Sequence, residues 1–422
     1  MEVDDSTKNL MFSMKFKPDI TTLCWLIIVP YVFIDAISGF FAQEIGVNIK
    51  LSLVLKITLL FLSLLCLIRW KSKYLFFVSF ISIHIIISLY YSVMQNGQEA
   101  LVNELPFAMK IIMTIVMYVF AKEYSMRDPI TFIKYSRMSL NFGFWVVIVN
   151  VLFGYFGIGY YTYPNSDIGY KGFFVAGNEL SALFIVLSCF KLHDVWNLNN
   201  RKQYLFFSLL VLFIGISIGT KAGILFSVFA VFAIPFFNLR QKVLSLKSLI
   251  ILLCLCLVLM SGLILIYHWI ETLPIGQRIF YNLSKYGVLG LIFSGRDEWV
   301  LQVFERISDA DGLVPLFLGY GSTELKLLIG KTSLEVDPID MFVYFGVIPA
   351  VLVFVWAVNI IIFNIKNLNR YYFAPSVLVA NVALLLFACI AGHVWTSGML
   401  GIAWALLNGL AVSKSALLHL KN

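Results

Sequence analysis

Residues 51–91 read LSLVLKITLLFLSLLCLI, then RWKSK, then YLFFVSFISIHIIISLYY. Two apolar runs, each close to the roughly 20 residues a helix needs to cross the hydrocarbon core, flank a basic knot of Arg69, Lys71 and Lys73. Water is absent from a bilayer interior, so backbone N–H and C=O groups there must bond within their own segment, and each run must be a helix. Helix, basic turn, helix is the unit from which the rest of the chain is read.

Working outward, the same pattern predicts about twelve spans in an all-α membrane protein. The first six are Ile20–Phe41, Leu51–Ile68, Tyr74–Tyr91, Phe107–Phe120, Met138–Phe156 and Phe174–Leu192. Tyr204–Ile218 and Ala222–Phe237 form a tight hairpin, and Leu249–His268 is the ninth. A long polar stretch, 269–339, precedes Asp340–Phe363, Pro375–Gly392 and Gly398–Val412. The chain reads as a single membrane domain, 1–422, with 269–339 as an extracytoplasmic loop within it. No repeat of 20–50 residues is visible. Met1–Lys17 is polar and carries Glu2, Asp4 and Asp5, so the run after it reads as a span and not as a cleavable signal.

Composition agrees. Apolar residues make up 60% of the 422, charged residues only 13%, and the mean hydropathy is +0.90. A soluble domain carries about twice that share of charge. The net charge of +8 therefore does not point to nucleic acid. It follows the positive-inside rule: Lys8, Lys15 and Lys17, the 69–73 knot, Lys122 to Arg137, Lys191 to Lys202, Arg240 to Lys247, Lys366 and Arg370, and Lys414 and Lys421 all fall in alternate connections. Those connections, and both chain ends, are read as cytoplasmic. The 93–105 connection has no basic residue but has Glu99 and Glu104, and is read as an outer loop. Lys50, Lys56, Lys110, Lys171 and Lys221 lie near the outer ends of spans. The six cysteines sit in apolar stretches without metal-ligand spacing.

Ionisable groups beside or within spans are costly, which makes them candidates for function. Four clusters stand out, all on the outer side. GYKGFFVAGNELSA (169–182) brings Lys171, Asn178 and Glu179 to the sixth span. Asn178 suits a helix cap, but Glu179 inside an apolar run calls for a partner. GTKAG (219–223) turns the hairpin on Gly219 and Gly223 and presents Lys221, either snorkelling to head groups or facing inward. FSGRDEW (293–299) is either a solvated helix start, with Ser294 as N-cap and Asp297 and Glu298 in the first turn, or a phosphate clamp built on Arg296. LGYGSTE (318–324) and LEVDPIDMFVYFG (334–346) crowd Glu335, Asp337 and Asp340 at the start of the tenth span. Those acids either match the helix dipole or supply a general base. His84 and His268 read as ordinary span residues, whereas His393 in AGHVWTSG (391–398) is an outer-side candidate.

Taken in order, KGFFVAGNELSA, GTKAG, FSGRDEW, FLGYGSTE and EVDPIDMFVYFGVIP resemble the Wzy-type polysaccharide polymerase and O-antigen ligase superfamily, over roughly residues 165–365. The resemblance implies a C-type glycosyltransferase-like helical architecture. It also implies glycans on undecaprenyl pyrophosphate as substrates, at the outer face of the bacterial inner membrane. A chain-length regulator and a flippase are the implied protein partners. Ligases of the family carry a His where this chain has LEVDPID, and Arg is frequent where this chain has Lys221. The chemistry then needs basic groups at a pyrophosphate leaving group and a carboxylate for the attacking hydroxyl, with no metal or cofactor. Glu335 or Asp337 is the expected base and Arg296 the expected clamp. Lys221, Arg278, Lys171, Asn178, Glu179, Arg306, Asp340 and His393 are the expected substrate contacts. The reading is a polymerase of lipid-linked repeat units, with a ligase as the alternative. A flippase is a second alternative, disfavoured by the near absence of charge in mid-span.

Overall fold

The computed structural model describes residues 19–47, 50–164, 167–239, 293–308 and 312–412, with single positions between 277 and 287. The expected ninth span, Leu249–His268, and Arg278 lie outside the described residues. In chain order the helices are α1 (Ile20–Ile28), α2 (Tyr31–Phe40), α3 (Leu51–Arg69), α4 (Leu75–Asn96), α5 (Gln98–Arg127) and α6 (Pro129–Tyr155). Strands β1 (Tyr160–Tyr163) and β2 (Ile168–Gly172) precede α7 (Gly177–Asn197), α8 (Arg201–Ile218) and α9 (Lys221–Asn238). Then come α10 (Arg296–Ser308), α11 (Val314–Leu318), α12 (Gly321–Ile329), α13 (Asp337–Phe345), α14 (Val347–Lys366), α15 (Ala374–Ile390) and α16 (Leu400–Val412). Among the described residues seven helices are long and apolar enough to cross a membrane, or eight counting the bent α1–α2 pair, and α15 and α16 are shorter apolar helices. The protein is a multi-pass helical membrane protein.

Several boundaries differ from the sequence reading for identifiable reasons. The first span, expected unbroken over Ile20–Phe41, bends by 51°. Pro30 sits at the break, where it has no N–H to donate to the helix ladder. The loop expected at 93–105 is absent. Gly97, at φ 73°, turns the chain in one residue, and α5 runs 30 residues from Gln98, with Glu104 fully buried. The tenth span, expected to be unbroken from Asp340, is interrupted at Gly346, where α13 gives way to α14. An all-α chain was expected, yet Tyr160–Tyr163 pairs antiparallel with Ile168–Gly172. The aromatic, β-branched run YYTY suits a pleated surface. Its partner strand packs backbone to backbone on the α8–α9 turn, because Gly169 and Gly219 carry no side chains: a Cβ on Gly169 would sit 2.3 Å from the Ile218 carbonyl oxygen.

The bundle is centred on α7 and α16, which are buried along nearly their whole length. α16 packs on α5, α6 and α7, and small residues permit the close approach. Gly401 meets Thr114, and Gly409 meets Phe132. Asn381 donates to Asn408 at 3.0 Å and accepts from Trp404 Nε1 at 2.8 Å, a polar tie inside the apolar core.

The two ends of the bundle differ in the way the charge pattern requires. At one end the 69–74 turn meets the end of α5: Ser72 donates to Glu123 and Arg127 donates to the Trp70 carbonyl. At the opposite end of α5, Lys326 pairs with Glu99 at 2.6 Å, and Glu104 accepts from both the backbone N–H and the hydroxyl of Ser322. The segment expected as an outer loop therefore lies at the end away from the basic connections.

Candidate active site

The chain from Ser333 to Asp340 is built around one carboxylate. Asp340, fully within the protein, accepts from the Leu334 N–H at 2.7 Å, the Ser333 hydroxyl at 2.8 Å and the Val336 N–H at 3.2 Å. Asp337 is equally buried, and its two oxygens accept from the N–H groups of His393, Val394 and Trp395 at 2.7, 2.7 and 2.9 Å. Asp337 thus knits the start of α13 to the α15–α16 link, while Asp340 folds the 333–336 segment back onto α13. The close fit needs Gly392, whose φ is +63° and whose Cβ, if present, would lie 2.5 Å from the Glu335 carbonyl carbon. Glu335 is thereby the acid of the three whose carboxylate is paired with a cationic side chain.

Its partner is Arg296, the first residue of α10, which donates a charge-assisted hydrogen bond to Glu335. Burial pushes the Glu335 carboxyl up, but the Arg296 guanidinium, then His393 and Lys331, hold it below the usual carboxylate range. Arg296 also donates to the Phe293 carbonyl at 3.2 Å, while its Nε is buried without a partner among the described residues. An unsatisfied N–H on the planar guanidinium fork suits an oxyanion such as phosphate, two of whose oxygens the fork can bind.

Other groups converge here. The His393 ring lies close enough to act electrostatically on Glu335, Asp337 and Glu179. Lys221, at the start of α9, donates to Ser294 at 3.0 Å, so Ser294 serves as a tether and sits in a left-handed conformation at φ 59°. Thr220 caps α9 by accepting from Gly223 N–H, and its hydroxyl meets Ser181 of α7 at 2.6 Å. Lys331 lies over the Trp299 ring at 3.9 Å. These contacts gather the amino ends of α7, α9 and α10, where helix dipoles favour an anion.

Glu179, in the first turn of α7, has the partner its setting demands. Lys110 donates to it at 3.0 Å and the Ser397 hydroxyl at 2.8 Å. The sequence reading did not foresee Lys110 as that partner, since the two residues are far apart in the chain. The N-cap of α7 is Ala176, so Asn178 does not cap the helix and stands half-buried beside Glu179. Lys171 donates to the Val175 carbonyl at 2.9 Å within its own turn, and burial lowers its pKa. Arg306 lies at the far end of α10, about 15 Å from Arg296 along the axis, and makes a long 3.8 Å contact with Glu324. His84, read as an ordinary span residue, meets the carbonyls of Phe317 and Phe345 at 3.0 and 3.2 Å, bracing the break at Gly346.

A family model described as O-antigen ligase like membrane protein matches residues 19–287, more than half of the chain. The match stops short of Arg296, Glu335 and His393, whose roles rest on geometry. No curated protein matches the chain.

Proposed function

The chain belongs to the O-antigen ligase-like membrane protein family, and from that premise we propose that it transfers a glycan from undecaprenyl pyrophosphate to an acceptor at the outer face of the bacterial inner membrane, with both chain ends cytoplasmic. The acceptor in this reading is a second lipid-linked repeat unit, which makes the protein a polysaccharide polymerase. The single observation that carries the reading is the Arg296–Glu335 pair, set among Lys221, Lys331 and His393.

The chemistry follows from the charges. As the bond from sugar to pyrophosphate breaks, negative charge develops on the departing phosphate oxygen. The Arg296 guanidinium, with Lys221 and Lys331 nearby, lowers the energy of that charge. Glu335 accepts the proton of the attacking sugar hydroxyl as the new glycosidic bond forms. A donor phosphate that draws Arg296 away from Glu335 leaves the carboxylate less stabilised, and so a stronger base, when the donor is bound.

A ligase is the second reading, and one observation favours it. Ligases of this superfamily carry a His near the start of the span after the long loop. In space the 392–393 segment packs on Glu335, a Cβ on Gly392 lying 2.5 Å from the Glu335 carbonyl carbon, although more than fifty residues separate them in the chain. A deletion strain examined by gel separates the two. Loss of a polymerase leaves single repeat units on their final anchor, whereas loss of a ligase leaves long chains stranded on the lipid carrier. Glu335→Ala and Arg296→Ala, at normal protein level, should reproduce the deletion. Full-length polymer in both variants would refute the site.

A further inference from the structure

Two lysines on different spans approach the α15–α16 link. Lys56 of α3 donates to both oxygens of Asp35 at 2.7 and 2.9 Å, and Ser52 donates to the same carboxylate. The ammonium of Lys110 on α5 makes one hydrogen bond among the described residues, to Glu179. The two stems meet at the α15–α16 link. A Cβ on Gly398 would lie 3.6 Å from Lys56 Cδ and 3.7 Å from Lys110 Cγ. The other end of that link carries His393, which acts on both Glu179 and Glu335.

The two pairs are not equivalent. Lys56 is 18% exposed and Asp35 8%, and both oxygens of Asp35 hold the same ammonium, so this pair is a closed brace. Lys110 is 40% exposed while its partner Glu179 is 15% exposed. An ammonium has three N–H donors, so Lys110 can take a phosphate oxygen without releasing Glu179. Charges set this close to the lipid carry a desolvation cost, which an anionic ligand would offset. One turn along α5 from Lys110, Thr114 donates to the Lys110 carbonyl and packs in the core with Trp395, Leu400 and Trp404, which fixes the helix that carries the lysine.

We propose that Lys110, braced by Glu179 and by the Lys56–Asp35 pair, binds the phosphate of a second lipid-linked substrate, across the 391–399 link from the Arg296 site. The proposal rests on the lipid-carrier reading of the preceding subsection and deepens it. A polymerase must seat two carriers at once, and the two basic positions flank one link.

The test counts bound carrier. Full-length protein in nanodiscs is titrated with radiolabelled undecaprenyl pyrophosphate, and folding of each variant is checked by its unfolding temperature. Wild type should bind two per chain. Lys110→Ala/Glu179→Gln, which removes both charges and leaves no buried carboxylate unpaired, should bind one. Arg296→Ala/Glu335→Gln should also bind one, and Lys110→Arg should restore two. One carrier per wild-type chain, lost in the Arg296 double variant, would overturn the second site and leave the enzyme reading standing. Two carriers retained in the Lys110 double variant would overturn it as well. Displacement of the second carrier by phosphatidylglycerol would mark an ordinary phospholipid position and equally overturn it. No binding by wild type would instead sink the lipid-carrier reading itself.

Discussion

Replacing Asp337 by Asn separates a scaffold acid from a reacting one. In the native protein one oxygen of Asp337 serves the His393 N–H and the other serves Val394 and Trp395, all within 2.9 Å and away from water. An Asn side chain has one acceptor oxygen and an NH2 group that only donates. If its oxygen keeps Val394 and Trp395, the NH2 faces the His393 N–H donor to donor. One charge-assisted bond is lost and a buried donor is left unpaired, which costs about 2–4 kcal/mol. Asp337→Ala strands all three N–H groups and costs more. The expected results are a fall in unfolding temperature on the order of 5 °C for Asp337→Asn and faster amide hydrogen exchange at 393–395. Glu335→Gln, by contrast, should leave exchange at 393–395 near native while abolishing product. Native protection at 393–395 in Asp337→Asn, together with lost activity, would refute the scaffold role and return Asp337 to the candidates for the base.

Three further outcomes follow. The Glu335 carboxyl lies below its ordinary value of 4.5, so its pairing with Arg296 contributes stability that is fully present above the unfolded pKa and is lost as pH falls through the lower folded value. Unfolding temperature measured from pH 8 to pH 3 should lose this contribution only below about pH 4.5 in wild type, and Glu335→Gln should lack that step. Gly392→Ala forces a side chain onto the Glu335 backbone at a left-handed φ, so activity should fall by at least tenfold with a loss of about 1–3 kcal/mol in stability; native activity in purified Gly392→Ala would contradict the close packing. Reporter fusions after Arg240 and Lys421 should report cytoplasm and a fusion at Gly312 the outside, and one reversed signal would mean a miscounted span.

What the sequence shows of this protein depends on the range of the interaction. Span positions were legible because lipid solvation is read residue by residue, and the 51–91 unit appears as α3, a basic turn and α4. The break at Pro30 and the one-residue turn at Gly97 were visible as residues, but hydropathy averages over them. Glu179 was recognised as needing a partner. Lys110 could not be matched to it, because nothing in the chain marks which outer-end lysine lies across the bundle. The sequence reading makes Asp337 a candidate base and Asp340 a substrate contact, because the backbone N–H groups that both carboxylates accept from leave no trace in a list of side chains. The β-hairpin was hidden among aromatic residues that also suit a membrane interface.

Three residues of the candidate site share an uncommon backbone state. Ser294, Glu335 and His393 have φ of 59°, 59° and 62°, a region that costs an L-residue about 1–2 kcal/mol. Lys50, Lys71, Asp167 and Asn199 also adopt it, but they lie in turns between elements, where the chain must reverse. The three site residues come from three separate connections: Ser294 lies two residues before Arg296, Glu335 pairs with Arg296, and His393 follows Gly392, which packs on Glu335. Such strain persists only where surrounding contacts over-determine the conformation. Here those contacts can be named: Asp340 binds the 333–336 segment, Asp337 binds 393–395, and Lys221 binds Ser294. Two buried acids and a lysine thus hold three loops in place, so that one arginine and one carboxylate meet beside a histidine. On this account Asp337 and Asp340 are scaffold groups and Arg296 and Glu335 reacting groups, drawn from the same short motifs, while Lys221 both tethers Ser294 and faces the leaving phosphate. Mutations of Asp337 and Asp340 should therefore act through stability, and those of Arg296 and Glu335 through chemistry.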